Sequence, residues 1–286
     1  MKKITLSLLG LCLSISLFAQ FESMMGAPSS ELNKQGSNVK TGKNFTDAKG
    51  WKQGEWEKRT QDGNLIYKAT FKDDKPVGIL TRYYPSGMKK AVVEYDALGG
   101  SLGKAQLFDE KEILFADGFY ADNKKDSVWR YIDRFKNVIC IESYKNGKHN
   151  GKTTFFYQGG SPYEEINYVE DVKEGDWIQY FKGGQVKLKS QYLHGLLVGS
   201  FKILFEDGSS EVVGFYKNGK EDGIWRFYLP DGKVDYDIKY KNGQILNADE
   251  IDRKKSDRIK QLEKNKNSVK DPEQYRNDPD GYMNGN

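Results

Sequence analysis

The chain is poor in the residues that carry most covalent and metal chemistry, with two cysteines and two histidines in 286 residues. Cys12 lies in the N-terminal apolar stretch, so its removal leaves Cys140 without a partner for an internal disulfide. Cys140 falls on the same alternating face as Val138 and reads as a small buried hydrophobe, not a nucleophile. His149 and His194 both fall in predicted turns and read as solvated residues, without a catalytic or metal-binding role. No phosphate-cradling glycine loop and no nucleophile elbow occurs. Glu164 and Glu165 are adjacent and so point to opposite faces of a strand, which argues against a paired-carboxylate site. Asp278-Pro279-Asp280-Gly281 lacks the ligand series of a calcium loop and reads as a turn. No catalytic residue, metal site or cofactor is therefore expected, and the chain does not read as an enzyme. Excess charge of one sign is also missing. The 45 basic residues less Lys2 and Lys3 stand against 41 acidic ones, which excludes the basic footprint of a nucleic-acid binder.

Long apolar runs are absent after the first residues. Lys2 and Lys3 followed by the apolar stretch Ile4 to Phe18, with a cleavage site at Leu17-Phe18-Ala19, predict a signal peptide over 1–19. The stretch is short for a transmembrane span. Export to the periplasm, the outer-membrane surface or the medium is the expected localisation. Residues 20–50, rich in Ser, Gly, Asn and Lys, read as a flexible leader.

What the chain does have is aromatics, at 13%, and 30 glycines. Disordered chains lack aromatics, so this combination points to many short strands joined by tight turns. The aromatics recur at a fixed period. Taking Gly54, Gly78, Gly103, Ser127, Gly151, Gly175, Gly199 and Gly223 as starts, every step is 24 residues except one of 25, from Gly78 to Gly103. Seventeen residues after each start stand Phe71, Tyr95, Tyr120, Tyr144, Tyr168, Tyr192, Tyr216 and Tyr240. Two residues after it stand Trp56, Trp129, Trp177 and Trp225 in four of the eight repeats. A glycine recurs at the ninth position, with Glu112 and Lys136 as exceptions in the third and fourth repeats.

Asp62-Gly63, Asp207-Gly208 and Asp231-Gly232 lie in mid-repeat, and Asn146-Gly147, Asn218-Gly219 and Asn242-Gly243 between repeats. Such pairs accept the positive φ of type I′ hairpin turns, which are predicted at both places. Between the turns, Val234, Tyr236, Ile238 and Tyr240 alternate with Asp235, Asp237 and Lys239, the period of a strand with one buried face. The fold class is thus all-β: an elongated, single-layer antiparallel sheet of about eight stacked hairpins over 51–246, with a short C-terminal helix.

The string Tyr216-Lys217-Asn218-Gly219-Lys220, then Gly223-Ile224-Trp225, Tyr228, Asp231-Gly232 and Tyr240-Lys241-Asn242-Gly243, closely resembles the bacterial MORN-repeat variant. It is similar to the exported members of the so-called YwqK antitoxin family. The similarity covers about residues 51 to 246 and is weakest around Leu98 to Lys136. The resemblance implies stacked hairpins forming a single-layer sheet with an aromatic-lined groove. It also implies protein association, sometimes lipid contact.

Two readings of the aromatic row stay open. Trp129, Tyr144, Tyr168, Trp177, Tyr192, Tyr216, Trp225 and Tyr240 are either the core of a thin sheet or the lining of a groove for a partner, glycan or lipid headgroup. The expected partner is another exported or envelope protein. After the last repeat, Asn247 and Glu250 form a capping-box pattern, and Ile251, Ile259 and Leu262 share one face of a helix over 247–265. That helix covers the edge of the last repeat, docks a partner, or is a solvated charged helix. The tail, 266–286, reads as disordered. The first strand, Trp51 to Thr60, shows no obvious cap.

Overall fold

The computed structural model describes residues 43–97 and 100–264. The predicted signal peptide, residues 20–42 of the predicted leader, and the tail 266–286 lie outside the described residues. So do the side chains of Ile259 and Leu262. The rest is almost wholly antiparallel β-structure closed by one helix, Ala248–Lys264.

The pairing register explains the 17-residue spacing. In seven of the eight hairpins the starting residue and the aromatic are cross-strand partners: Gly54 with Phe71, Gly78 with Tyr95, Ser127 with Tyr144, Gly151 with Tyr168, Gly175 with Tyr192, Gly199 with Tyr216 and Gly223 with Tyr240. The fully described turns between repeats are the predicted type I′. Both central residues have positive φ in Asn146-Gly147, Asn218-Gly219 and Asn242-Gly243, and also in Asp73-Asp74 and Glu170-Asp171.

The mid-repeat turns are different, which corrects the prediction. Asp62 keeps negative φ and only Gly63 is left-handed, at 84°. Gly63 N–H donates to the Thr60 carbonyl (3.0 Å), while Thr60 N–H donates to the Asn64 carbonyl (2.8 Å). This is a three-residue loop, a type I turn followed by a left-handed residue that forms a bulge. The aspartate serves the turn through its neighbours' N–H groups: Asp207 Oδ1 accepts from Ser209 N–H at 2.8 Å. Glu112 and Lys136 occupy the same left-handed position, at φ 58° and 68°, without being glycine.

The described chain falls into two compact bodies, one of residues up to 104 with 120–124, the other of 105–119 with 125 onward. In the first, the strands Lys52–Arg59, Leu65–Lys72, Lys75–Tyr83 and Lys89–Tyr95 form a ladder that buries Ala69, Ala91, Val93 and Tyr95. Its ladder begins earlier than composition suggests. Phe45–Thr46 pairs with Gln53 and Lys52, Asn44 N–H donates to the Glu55 carbonyl, and Asn44 Oδ1 accepts from Glu57 N–H. The edge that lacks a cap in sequence is thus partly covered from within the leader.

In the second body the buried stripe runs through cross-strand partners: Trp129 with Glu142, Thr153 with Ile166, Ile166 with Trp177, Trp177 with Ser190, and Trp225 with Ile238. At its far end the helix acts as a cover, because Ile251 is buried in the core cluster with Ile238 and Trp225. Asn247 does not form the expected capping box. Its Oδ1 accepts from Lys239 N–H (2.8 Å) and its Nδ2 donates to the Asp237 carbonyl (3.0 Å), so the amide stands in for one residue of a further strand.

Candidate functional site

The aromatic row divides into two classes. Trp129 is wholly buried, and Tyr144, Trp177 and Trp225 are nearly so. These four rings are core and offer no open face as groove lining. Trp129 and Trp225 lie over Gly118 and Gly214, where an added methyl would collide with the indole. Their indole N–H groups donate to the carbonyls of Phe119 (2.9 Å) and Phe215 (3.2 Å). Tyr168, Tyr192, Tyr216 and Tyr240 remain partly open and pack against the tryptophans. Trp177 and Tyr192 are 5.6 Å apart, and Tyr216 meets Trp225 edge-on at 5.1 Å.

The stripe is interrupted by polar groups in the fourth to sixth repeats. Glu142, Thr153, Glu164 and Ser190 are buried at positions that carry apolar or small side chains in most repeats. Glu142 Oε2 accepts from Tyr144 Oη at 2.7 Å, and its Oε1 lies 3.6 Å from His149 Nε2. His149 Nδ1 is 3.1 Å from Asp171 Oδ1, and its ring stacks between Tyr144 (4.4 Å) and Tyr168 (5.3 Å). The histidine expected to be a solvated turn residue is therefore a clasp joining two successive repeats. His194, by contrast, is well exposed, as expected of a solvated turn residue.

Electrostatics follow from the geometry. Burial works against the charge on Glu142, yet hydrogen bonds from His149, Tyr144 and Tyr131 outweigh it and hold the carboxyl below its usual value. Burial likewise lowers His149, but Glu142 and then Asp171 outweigh it and hold the imidazole above its usual value. Burial pushes the Cys140 thiol up. Glu164 Oε1 accepts from both Trp177 Nε1 and Gln179 Nε2, each at 2.8 Å. Its other oxygen, Thr153 Oγ1 and Ser190 Oγ have no hydrogen-bond partner among the described residues. Burial and then the charge of Glu164 push Tyr168 and Tyr192 up to about 12.

Sequence reasoning missed Glu142 and Glu164 as buried groups. The signal was present: Glu142 stands fifteen residues after its repeat start, where four of the seven others have Ala69, Val93, Ile166 and Ile238. Glu164 stands at thirteen, where Ala91, Cys140, Leu188 and Val212 stand elsewhere.

Three stretches, 52–73, 173–194 and 221–242, are similar to the MORN repeat variant. Each match opens two residues before a repeat start and closes on the first residue of a type I′ turn, Asp73 excepted only in not being followed by glycine. All three MORN-like stretches carry Trp at the second position and glycine at both positive-φ places of the hairpin: Gly54 and Gly63, Gly175 and Gly184, Gly223 and Gly232. The fourth repeat has its tryptophan but Ser127 and Lys136 in place of the glycines. No curated protein matches the chain, so the narrower likeness to YwqK-type proteins has no relative behind it.

Proposed function

We propose that the chain is a non-enzymatic, exported interaction module that presents its hairpin array to another envelope or secreted protein. The observation that carries this reading is the use of the repeating residues. Trp129, Trp177, Trp225 and Tyr144 are consumed in packing, and the titratable cluster around His149 is closed on itself by Glu142, Asp171 and Tyr144. A thiol held protonated, as Cys140 is by burial, supports a structural role for the only cysteine outside the proposed signal peptide. Similarity to MORN repeats, which serve generally in protein and membrane association, supports the same reading.

A second reading rests on the four partly open tyrosines, Tyr168, Tyr192, Tyr216 and Tyr240. With Lys173 Nζ 4.9 Å from the Tyr192 ring, they offer a surface for a glycan or lipid headgroup. Cell fractionation followed by crosslinking and mass spectrometry separates the two. A reproducible protein partner in an envelope or secreted fraction supports the first; retention on glycan or lipid arrays without a protein partner supports the second. Cytoplasmic recovery of an unprocessed chain would overturn export.

A further inference from the structure

The face opposite the buried stripe departs from the repeat in one place. In four described type I′ turns the two flanking residues are cross-strand partners on this face and at least one of them is lysine: Lys72 and Lys75, Lys145 and Lys148, Lys217 and Lys220, and Lys241. In the two consecutive turns between the fifth and seventh repeats the pairs are instead Val169 with Val172 and Leu193 with Leu196. These four side chains are between 44% and 51% exposed. The pairs are neighbours, since a methyl on Gly195 would lie 3.5 Å from Val172. Stacking does not require apolar side chains here, because the same positions elsewhere hold exposed lysine, of which Lys148 pairs with Glu170 and Lys241 with Asp222.

We infer that this ridge docks a protein segment with apolar side chains in the middle and carboxylates at both ends. This rests on the interaction-module reading and names its surface and partner chemistry. The argument is charge complementarity. The apolar pairs are bracketed by exposed Lys145 and Lys148 on one side, Lys148 being shared with Glu170 at 2.9 Å, and by exposed Lys217 and Lys220 on the other. Three turn-to-turn steps of two strands each separate the lysine pairs, roughly 30 Å along the sheet. That is the length of a helix of about 20 residues. A second copy of the chain does not fit, because a two-fold axis through the ridge would set lysine pair against lysine pair. A continuous anionic membrane fits less well than a protein, because Glu170 and Asp171 occupy the tip of the first apolar turn.

The test uses the purified chain and two synthetic helical peptides of about 20 residues, with one apolar stripe and either Glu or Lys at both ends. Phosphatidylserine-containing vesicles are the third probe. The Glu-ended peptide should bind, lose binding to Leu196→Asp, and bind about tenfold more weakly to Lys217→Glu/Lys220→Glu. A peptide with Lys at one end only should recover that loss. Both variants alter exposed side chains, and unchanged circular-dichroism melting verifies their fold. Equal binding of the two peptides, binding of neither, or capture of the vesicles through Leu193 and Leu196 overturns the inference. Photo-crosslinkers at Leu196 and at Ile79, an exposed apolar side chain of the second repeat, separate the ridge from the module as a whole. Protein adducts at Ile79 alone overturn the ridge and leave the interaction module standing; glycan or lipid retention without protein adducts overturns both.

Discussion

At the scale of single residues, the fold depends on backbone conformations that few side chains tolerate. The ninth position of each repeat is left-handed, and Lys136 holds it at φ 68°. A non-glycine residue there carries a steric penalty, so Lys136→Gly should raise stability by about 1 kcal/mol in urea titration, net of the entropy lost by glycine. Gly214 is constrained for a different reason: its φ is ordinary, but the Trp225 indole rests where a Cβ would stand. Gly214→Ala should displace that ring and cost about 2 kcal/mol, with a shift in tryptophan fluorescence as the second readout. The first position was legible in sequence, because a glycine at a fixed register signals positive φ. The second was not, because it depends on which side chain the next repeat lays across it.

Between elements, the contacts that matter join consecutive hairpins. His149, in the turn after the fourth repeat, links Glu142 with Asp171 in the turn after the fifth. Its raised folded-state value means its contribution is complete below the ordinary 6.5 and is lost as pH climbs through the higher folded value. The Glu142 contribution runs the other way, complete above the ordinary 4.5 and lost as pH falls through its lowered value. Stability should therefore be greatest between these limits, and His149→Gln should flatten the alkaline limb of a urea-stability profile while leaving other titrations in place. At the last edge, Asn247 supplies both a donor and an acceptor to the strand Val234–Lys241. Asn247→Ala should cost about 1–2 kcal/mol, with faster hydrogen exchange at Lys239 as the local signature. Glu250, whose Oε2 lies 3.4 Å from Asn247 Nδ2, should matter less. The helix itself was legible from Ile251 and its acidic first turn, but the target of the Asn247 amide was not. A side chain at a helix start bonds the helix or its neighbour according to which lies within reach.

For the whole molecule, stability should be distributed as in other repeat arrays, with each hairpin leaning on its neighbours. Deleting residues 248–264 should uncover Ile238 and Trp225, which Ile251 helps to bury, and raise hydrogen exchange in the eighth repeat first. Protection around Ile166 and Trp177 should change least, and uniform loss across the second body would contradict this local coupling. Hairpin order, the antiparallel pairing and the inter-repeat turn type were all determined by sequence alone. They depend on interactions within about 24 residues, and period-2 alternation leaves only one register that buries the aromatic row. Burial was decided by the tertiary structure. Trp129 became inaccessible, Tyr192 stayed half open, and Glu142 and Glu164 went inside at registers that hold apolar side chains in other repeats. The physical reason is that alternation says which face a side chain takes, whereas exposure depends on the rings and charges that the adjoining repeats set over that face. The short covalent repeat is thus written along the chain, and the polar break in it at His149 is intelligible only across neighbouring hairpins.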